Sequence, residues 1–231
     1  MALPIKGIQK TSLIDYPDRL SAVLFVGGCN FRCPFCHNKE LVLGPEKLPD
    51  ISEEEVLEFL KSRKEWVEGV VITGGEPCLY KELPFFIEKI KKLGFSVKLD
   101  TNGTNSVMIR QLIKSGYLDY IAMDIKAPPA KYAAAAGVSG GLIDVRESVK
   151  DIMNSGLSYE FRTKVVPRIH TEEDIIEIGQ WLKGAEKYVL QQFRPITTVE
   201  ESYMKERPYP QEKIEQIADR LRPLIKRVEV R

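Results

Sequence analysis

Six short runs of β-branched and apolar residues, at 21–26, 69–72, 96–99, 120–124, 160–166 and 188–192, alternate with stretches of helical periodicity along this 231-residue chain. That alternation constrains the fold most. Strands separated by helices pair in parallel, each helix crossing over the sheet. The run Ala22-Val23-Leu24-Phe25-Val26 has no polar alternation, which suits a sheet covered on both faces.

The helical stretches carry their own punctuation. The first starts at Ser52, with Glu55 three residues on completing a capping box, and Val56, Leu60 and Val67 mark its buried face. Further helices read over 83–93, 105–115 and 143–155, after the N-cap Thr171, and over 211–225. Gly94, Gly116, Gly156 and Gly184 each fall just past a helix end, where a left-handed residue is favoured. Residues 5–20 read as a short β-hairpin leading into the first strand. Six βα units are too few for a closed eight-stranded barrel. The fold class expected is therefore α/β, an open, partial (β/α)6 barrel in one domain over 1–231. The Pro-, Ala- and Gly-rich stretch 127–141 follows the fourth strand at its C-terminal end, where barrel loops carry function; an ordinary surface loop is the other reading, and the neighbouring Asp124 and Lys126 weigh against it.

A hydrophobic content of 43% supports a full core, and a net charge of +1 gives no electrostatic case for nucleic acid or a membrane surface. No apolar run approaches the roughly 20 residues of a membrane helix. The start, Met-Ala-Leu-Pro-Ile-Lys, lacks a signal-peptide core. With few, unpaired cysteines this reads as a cytoplasmic protein.

Three of the four cysteines lie within eight residues, Cys29-x3-Cys33-x2-Cys36. Three thiolates can hold three irons of a cubane cluster and leave the fourth open. Clusters that only carry electrons normally have four Cys. Zinc is the competing reading, but structural zinc sites pair C-x2-C with a second Cys or His pair. Here Cys78 stands alone, and His37 and His170 have no ligand-like spacing. Cys78 could still be a fourth ligand, although a packed thiol fits a small hydrophobe better.

The Cys run, with Phe35 before its last cysteine, resembles the signature of the radical S-adenosylmethionine (SAM) superfamily. Thr73-Gly74-Gly75-Glu76-Pro77, Asp100-Thr101-Asn102-Gly103 and Asp124-Ile125-Lys126 follow in the order of that family, with a fainter echo from Arg162 to Pro167. Cys36-His37-Asn38 resembles the activating enzymes of glycyl-radical enzymes. Lys10-Thr11-Ser12-Leu13-Ile14-Asp15-Tyr16-Pro17-Asp18 resembles the activating proteins of anaerobic ribonucleoside-triphosphate reductase. The resemblance implies a partial barrel of radical SAM type and a [4Fe–4S] cluster on Cys29, Cys33 and Cys36. It also implies reductive cleavage of SAM to methionine and a 5′-deoxyadenosyl radical. That radical would take a hydrogen from a glycine of a partner glycyl-radical enzyme, with a flavodoxin or ferredoxin as electron donor.

For the SAM site the candidates are Phe35, Gly74, Gly75, Glu76, Asp100, Asn102, Asp124, Lys126 and Arg162. Phe35 could pack near the adenine, or simply pack its loop. Gly74 and Gly75 let a backbone approach a ligand, and Glu76 could take the SAM ammonium. Three carboxylates at one mouth need cations. Lys126 and SAM supply some, and Asp100 and Asp124 could also bind a monovalent cation, as the resemblance implies. Arg162 and Lys164 share the face of one strand. Gln192 and Arg194, at the end of the sixth run, could reach SAM or substrate, and His170 reads as a loop or capping residue. Two other functions stay open: a radical SAM enzyme acting on a small molecule or RNA, and a non-catalytic iron–sulfur or zinc protein.

Overall fold

The computed structural model describes residues 3–231; the first two residues of the expected domain lie outside them. One sheet holds eight strands in chain order: β1 (Ile5–Ser12), β2 (Ser21–Val26), β3 (Gly69–Gly74), β4 (Ser96–Thr101), β5 (Tyr120–Asp124), β6 (Ser158–Val165), β7 (Lys187–Gln192) and β8 (Arg227–Val230). All neighbours from β2 to β8 pair in parallel, and only β1 runs antiparallel, against β2. The helices are α1 (Lys39–Leu43), α2 (Glu53–Ser62), α3 (Leu83–Lys92), α4 (Ser106–Ser115), α5 (Tyr132–Ala136), α6 (Leu142–Met153), α7 (Glu172–Trp181) and α8 (Gln211–Leu221). With β1 and β8 at its two edges the sheet is not closed, and the architecture is a partial barrel of six βα units extended by a strand at each end.

Local chemistry explains the element ends. Ser52 and Thr171 both form capping boxes, with Glu55 and Asp174, so both expected N-caps are in place. Gly94, Gly116, Gly156 and Gly184 all have positive φ at or just past a helix end. Three expectations are corrected. Residues 5–12 are one strand of a hairpin whose other strand is β2 itself, so no separate hairpin precedes the first strand. Val67 is not on the first helix: α2 ends at Ser62, and Val67 is buried in the connection to β3. The stretch 127–141 contains a short helix, α5, with Tyr132, Ala135 and Ala136 fully packed. Strand β8 was not expected, because Arg227-Val-Glu-Val-Arg is short and charged at alternate positions.

The two faces of the sheet differ. Leu24, Ile72, Leu99 and Ile121 pack under the helices in the main core. Alternate residues of the same strands form the other face. There Tyr16, Val23, Val71, Tyr120 and Ala122 make a separate small cluster. Tyr16 comes from the β1–β2 connection. Its ring meets that of Tyr120 at 6.0 Å, and a Cβ on Gly69 would come within 2.8 Å of it. Part of the stretch Thr11 to Asp18 therefore plugs the starting end of the strands.

Candidate active site

The carboxyl ends of the strands surround a cavity of about 350 Å³. Cys29, Cys33 and Cys36 all line it, on the loop that follows β2. That loop is held from several sides. Arg32 N–H donates to Ala136 O at 2.8 Å, Glu76 N–H to Gly28 O at 2.8 Å, and Glu200 N–H to Pro34 O at 2.9 Å. The approach is so close that a Cβ on Gly75 would sit 1.8 Å from Gly28 O, and one on Gly137 would sit 2.0 Å from Arg32 O. The glycine pair was expected to admit a ligand to the backbone. Both residues do line the cavity, but what excludes a side chain there is the protein's own backbone: Val26 at Gly74 and Gly28 at Gly75.

All four cysteines are free thiols. Cys78 is fully buried in the main core and does not line the cavity. The donor set facing the cavity is thus three sulfurs. Burial pushes the Cys33 thiol up to about 12, with the Lys126 ammonium opposing it. Burial also raises Cys29, against a hydrogen bond from Phe31 N–H to its sulfur at 3.4 Å. Asn102 Nδ2 donates to the same sulfur at 3.9 Å. Donors and a cation aimed at sulfur are what thiolates bound to metal call for.

Charges line the opposite wall. Arg162 bridges two carboxylates, donating from Nη1 to Asp100 at 3.0 Å and from Nε to Asp124 at 2.8 Å. Lys126 donates to Asp124 at 2.9 Å, and Lys98 pairs with Asp100. Burial alone would raise both carboxyls. Arg162 with Lys98 at Asp100, and with Lys126 at Asp124, instead holds them below the usual range. Burial would lower Lys126, yet Asp124, and the negative charge of Cys33 as a thiolate, hold its ammonium above its usual range. Asp100 and Asp124 therefore find counter-charge within the protein, most of it from Arg162, with the expected Lys126 at Asp124 and, at Asp100, Lys98, which was not among the expected site residues. Lys98 was legible in principle: it shares the period-2 face of β4 with Asp100.

Of the expected site residues, Phe35, Gly74, Gly75, Asp100, Asn102, Asp124, Lys126 and Arg162 line the cavity. Phe35 is buried, its ring 6.4 Å from that of Tyr203. Glu76 does not line it. Its carboxylate is wholly buried and accepts from Cys78 N–H at 2.9 Å, Thr101 Oγ1 at 2.7 Å and Asn102 N–H at 2.6 Å. Burial pushes this carboxyl up against those three donors. Glu76 ties the end of β3 to the end of β4 and so sets the position of Asn102. Gln192 turns away to donate to Tyr209 O at 2.8 Å, and its neighbour Gln191 faces the cavity. One step along a strand reverses the face. Arg194 is exposed and is not part of the lining. His170 is fully buried, accepting from Val166 N–H at 3.1 Å while its Nε2 meets Lys126 O at 2.7 Å. It clips the end of β6 to the residue whose ammonium faces the cysteines. Lining residues that were not among the expected SAM-site residues include Phe25 and Phe31, and also Asp15 and Asn38, which had been read only as parts of family-like stretches. Asn38 Nδ2 donates to Gly74 O at 2.8 Å.

The profile described as the radical SAM superfamily matches residues 23–182, from β2 through α7. The chain belongs to the radical SAM superfamily. Enzymes of this family use a [4Fe–4S] cluster and SAM. A Methanocaldococcus jannaschii protein that carries the name of a glycyl-radical enzyme activating enzyme is 36% identical over 216 residues, 90% of this chain and 87% of its own length. The pyruvate formate-lyase-activating enzyme of Clostridium pasteurianum is 28% identical over 189 residues, 78% of this chain and 76% of that one. Among solved structures, Streptococcus suis SuiB bound to its precursor peptide SuiA superposes with a TM-score of 0.70 at 16% identity. That match covers 88% of this chain and 46% of SuiB, and it shows a shared fold. Among the described residues no helix is long and apolar enough to cross a membrane.

Proposed function

We propose that this chain is a radical SAM activase that installs a glycyl radical on a separate protein, an anaerobic ribonucleotide reductase. The single observation carrying this reading is the 36% identity, across nine tenths of the chain, to a relative named for that activity. The stretches Cys36-His37-Asn38 and Thr11 to Asp18 support it, and the second supports the choice of partner.

In this reading Cys29, Cys33 and Cys36 hold the cluster, and three cavity-facing sulfurs without a fourth fit an iron left open for SAM. When bound, the cluster and SAM together supply the electron and the adenosyl radical that removes hydrogen from the partner's glycine. The chain's own residues do the rest. Phe31 N–H and Asn102 Nδ2 direct donors at the Cys29 sulfur, and Lys126 offsets negative charge beside Cys33 and Cys36. Asp100, Asp124 and Arg162 form a rigid polar wall for the amino-acid end of SAM. Phe25, Phe31, Phe35 and Val42 give the cavity an apolar lining that keeps water from a reactive radical. Glu76 acts through Asn102 and is a positioning residue.

The test mixes reduced, cluster-loaded protein, SAM and the anaerobic reductase of the same organism, and records the radical by electron paramagnetic resonance. A doublet that disappears when the acceptor glycine becomes alanine supports the proposal. Vigorous SAM cleavage with no radical on any glycyl-radical enzyme of that organism overturns it, in favour of a radical SAM enzyme of other substrate.

A further inference from the structure

The turn that follows β4 carries a closed ring of side-chain hydrogen bonds. Asn102 opens an Asx turn: its Oδ1 accepts from Thr104 N–H at 3.0 Å, and Gly103 between them takes a φ of 79°. A backbone N–H can only donate. This contact therefore fixes which end of the Asn102 amide is oxygen, and its NH2 end faces the cysteine loop. There Asn102 Nδ2 donates to Asn30 Oδ1 at 2.9 Å and to Cys29 Sγ at 3.9 Å. Asn30 Nδ2 donates in turn to Thr104 Oγ1 at 2.8 Å, and that hydroxyl donates to Asn102 Oδ1 at 2.6 Å. Each of the three side chains gives a bond to the next and takes one from the last.

The Asn102 amide is fully used. Its oxygen has two lone pairs and two donors, and its NH2 has two hydrogens and two acceptors, which leaves none for a ligand. Its main-chain N–H is held separately, by Glu76. Asn30 is exposed and Thr104 half-buried, and neither lines the cavity. The charged groups that act on the Cys29 sulfur, Glu76, Lys126 and Cys36, are not members of the ring. Phe31 N–H reaches that sulfur from within the cysteine loop. Opening the ring thus loosens one donor to Cys29 and leaves the others in place.

We infer that Asn30 and Thr104 are positioning residues, which hold the Asn102 amide on the Cys29 sulfur and so raise the potential at which the cluster accepts its electron. A donor at a ligating sulfur stabilises the reduced cluster, which carries the extra negative charge. Side chains joined in a ring polarise one another and lose that support together. The inference rests on the three-cysteine cluster of the function proposed above, and not on the identity of the partner.

The experiment titrates the midpoint potential of anaerobically reconstituted full-length protein without SAM, following the reduced cluster by electron paramagnetic resonance. The variants are Asn102→Ala, Asn30→Leu, Thr104→Val, Thr104→Ser and the Asn30→Leu/Thr104→Val double variant, each checked for iron content and circular dichroism. SAM dissociation constants are measured for the Asn30 and Thr104 variants. The midpoint should move to more negative potential in Asn102→Ala, and by less in Asn30→Leu and Thr104→Val. Thr104→Ser keeps the hydroxyl and should stay at the wild-type midpoint. The double variant should shift no further than the larger single one, because a ring broken once is already open. SAM affinity should stay close to wild type throughout. The inference is overturned if Asn102→Ala, or both Asn30→Leu and Thr104→Val, keep the wild-type midpoint. It is equally overturned if Thr104→Ser shifts as Thr104→Val does, if the single shifts add in the double variant, or if SAM affinity falls about tenfold or more. Should Asn102→Ala fail to hold iron, the Asn30 and Thr104 variants, outside the cavity lining, decide the matter. Absence of a glycyl radical on every partner would overturn the activase reading and leave these midpoints as they are.

Discussion

The two faces of the same sheet obey different rules. On the helix-covered face, Val97, Leu99, Ile121 and Met123 are fully buried apolar side chains. On the cavity face, one residue away in each strand, stand Lys98, Asp100, Tyr120 and Asp124, continued on β6 by Glu160, Arg162 and Lys164. The first face earns stability from area removed from water. The second holds charges that are stable only as a connected set. Glu160, for instance, is fully buried and accepts from Tyr120 at 3.2 Å and from Arg231 at 3.0 Å, with Lys187 at 3.4 Å. Toward the carboxyl ends of the strands, parity separates what folds the chain from what the chain can do, while at the strand starts the second face keeps the small apolar cluster around Tyr16 and Tyr120.

The sharpest way to break that division is at the cysteines. Alanine at Cys29, Cys33 or Cys36 should each abolish cluster retention and SAM cleavage with little change in fold. Cys78→Ala, on the helix side, should keep both. Iron and sulfide analysis with an assay for 5′-deoxyadenosine checks this, and loss of iron from Cys78→Ala alone would reverse the assignment.

Next in size is Arg162→Met. Removing one member of a buried ionic set costs about 3–5 kcal/mol, and SAM binding should fall with it. Leu99→Ala on the opposite face costs about 2–5 kcal/mol by leaving a void, but should leave SAM affinity close to wild type. Urea denaturation paired with equilibrium dialysis separates the two. If Leu99→Ala weakens SAM binding as much as Arg162→Met does, the faces are not independent.

A pH series sharpens the comparison further. Asp100 and Asp124 are held below their unfolded value of about 3.9. The folded state therefore binds fewer protons than the unfolded state in that range. Their contribution is fully present above the unfolded value and is lost as pH falls through the folded values. Urea midpoints of the cluster-free protein should drop from about pH 4 downward. Asp124→Asn should lower the midpoint at pH 7 and flatten that acid limb. Leu99→Ala should shift the whole curve without changing its shape.

The smallest effect is expected at a helix cap outside the cavity lining. Thr171→Ala removes a capping bond from α7 at a cost of about 1 kcal/mol, with cluster content and SAM cleavage unchanged. A thermal melt and an activity assay suffice.

Periodicity and punctuation made the architecture readable, because Ser52, Thr171 and the four helix-terminal glycines act locally. That three cysteines would face one cavity was equally readable, since their close spacing puts them on one loop. What escaped sequence reading were facts of register and of distance. Gln192 was taken for Gln191 because one residue reverses a strand's face. Glu76 looked like a ligand group because nothing local reveals that Cys78, Thr101 and Asn102 would occupy its carboxylate. Lys98 and Arg162 were separable in sequence but only jointly meaningful, their common partner Asp100 lying 62 positions from Arg162. Strand β8 hid because an edge strand with charges at alternate positions reads like a solvated tail.

The strict chain order of the strands, β1 to β8, has a consequence for how the protein comes into being. Each strand docks on the one made just before it, so a chain emerging from the ribosome can extend its sheet one unit at a time. No strand must wait for a later one to insert between it and its neighbour, and the loop-closure cost of each step stays modest. The cysteine loop is synthesised early, whereas its supports from Ala136 and Glu200 come much later. During synthesis the three thiols are thus among the earlier parts of the pocket to be made, while their loop gains its support from Glu200 only after β7 has been made.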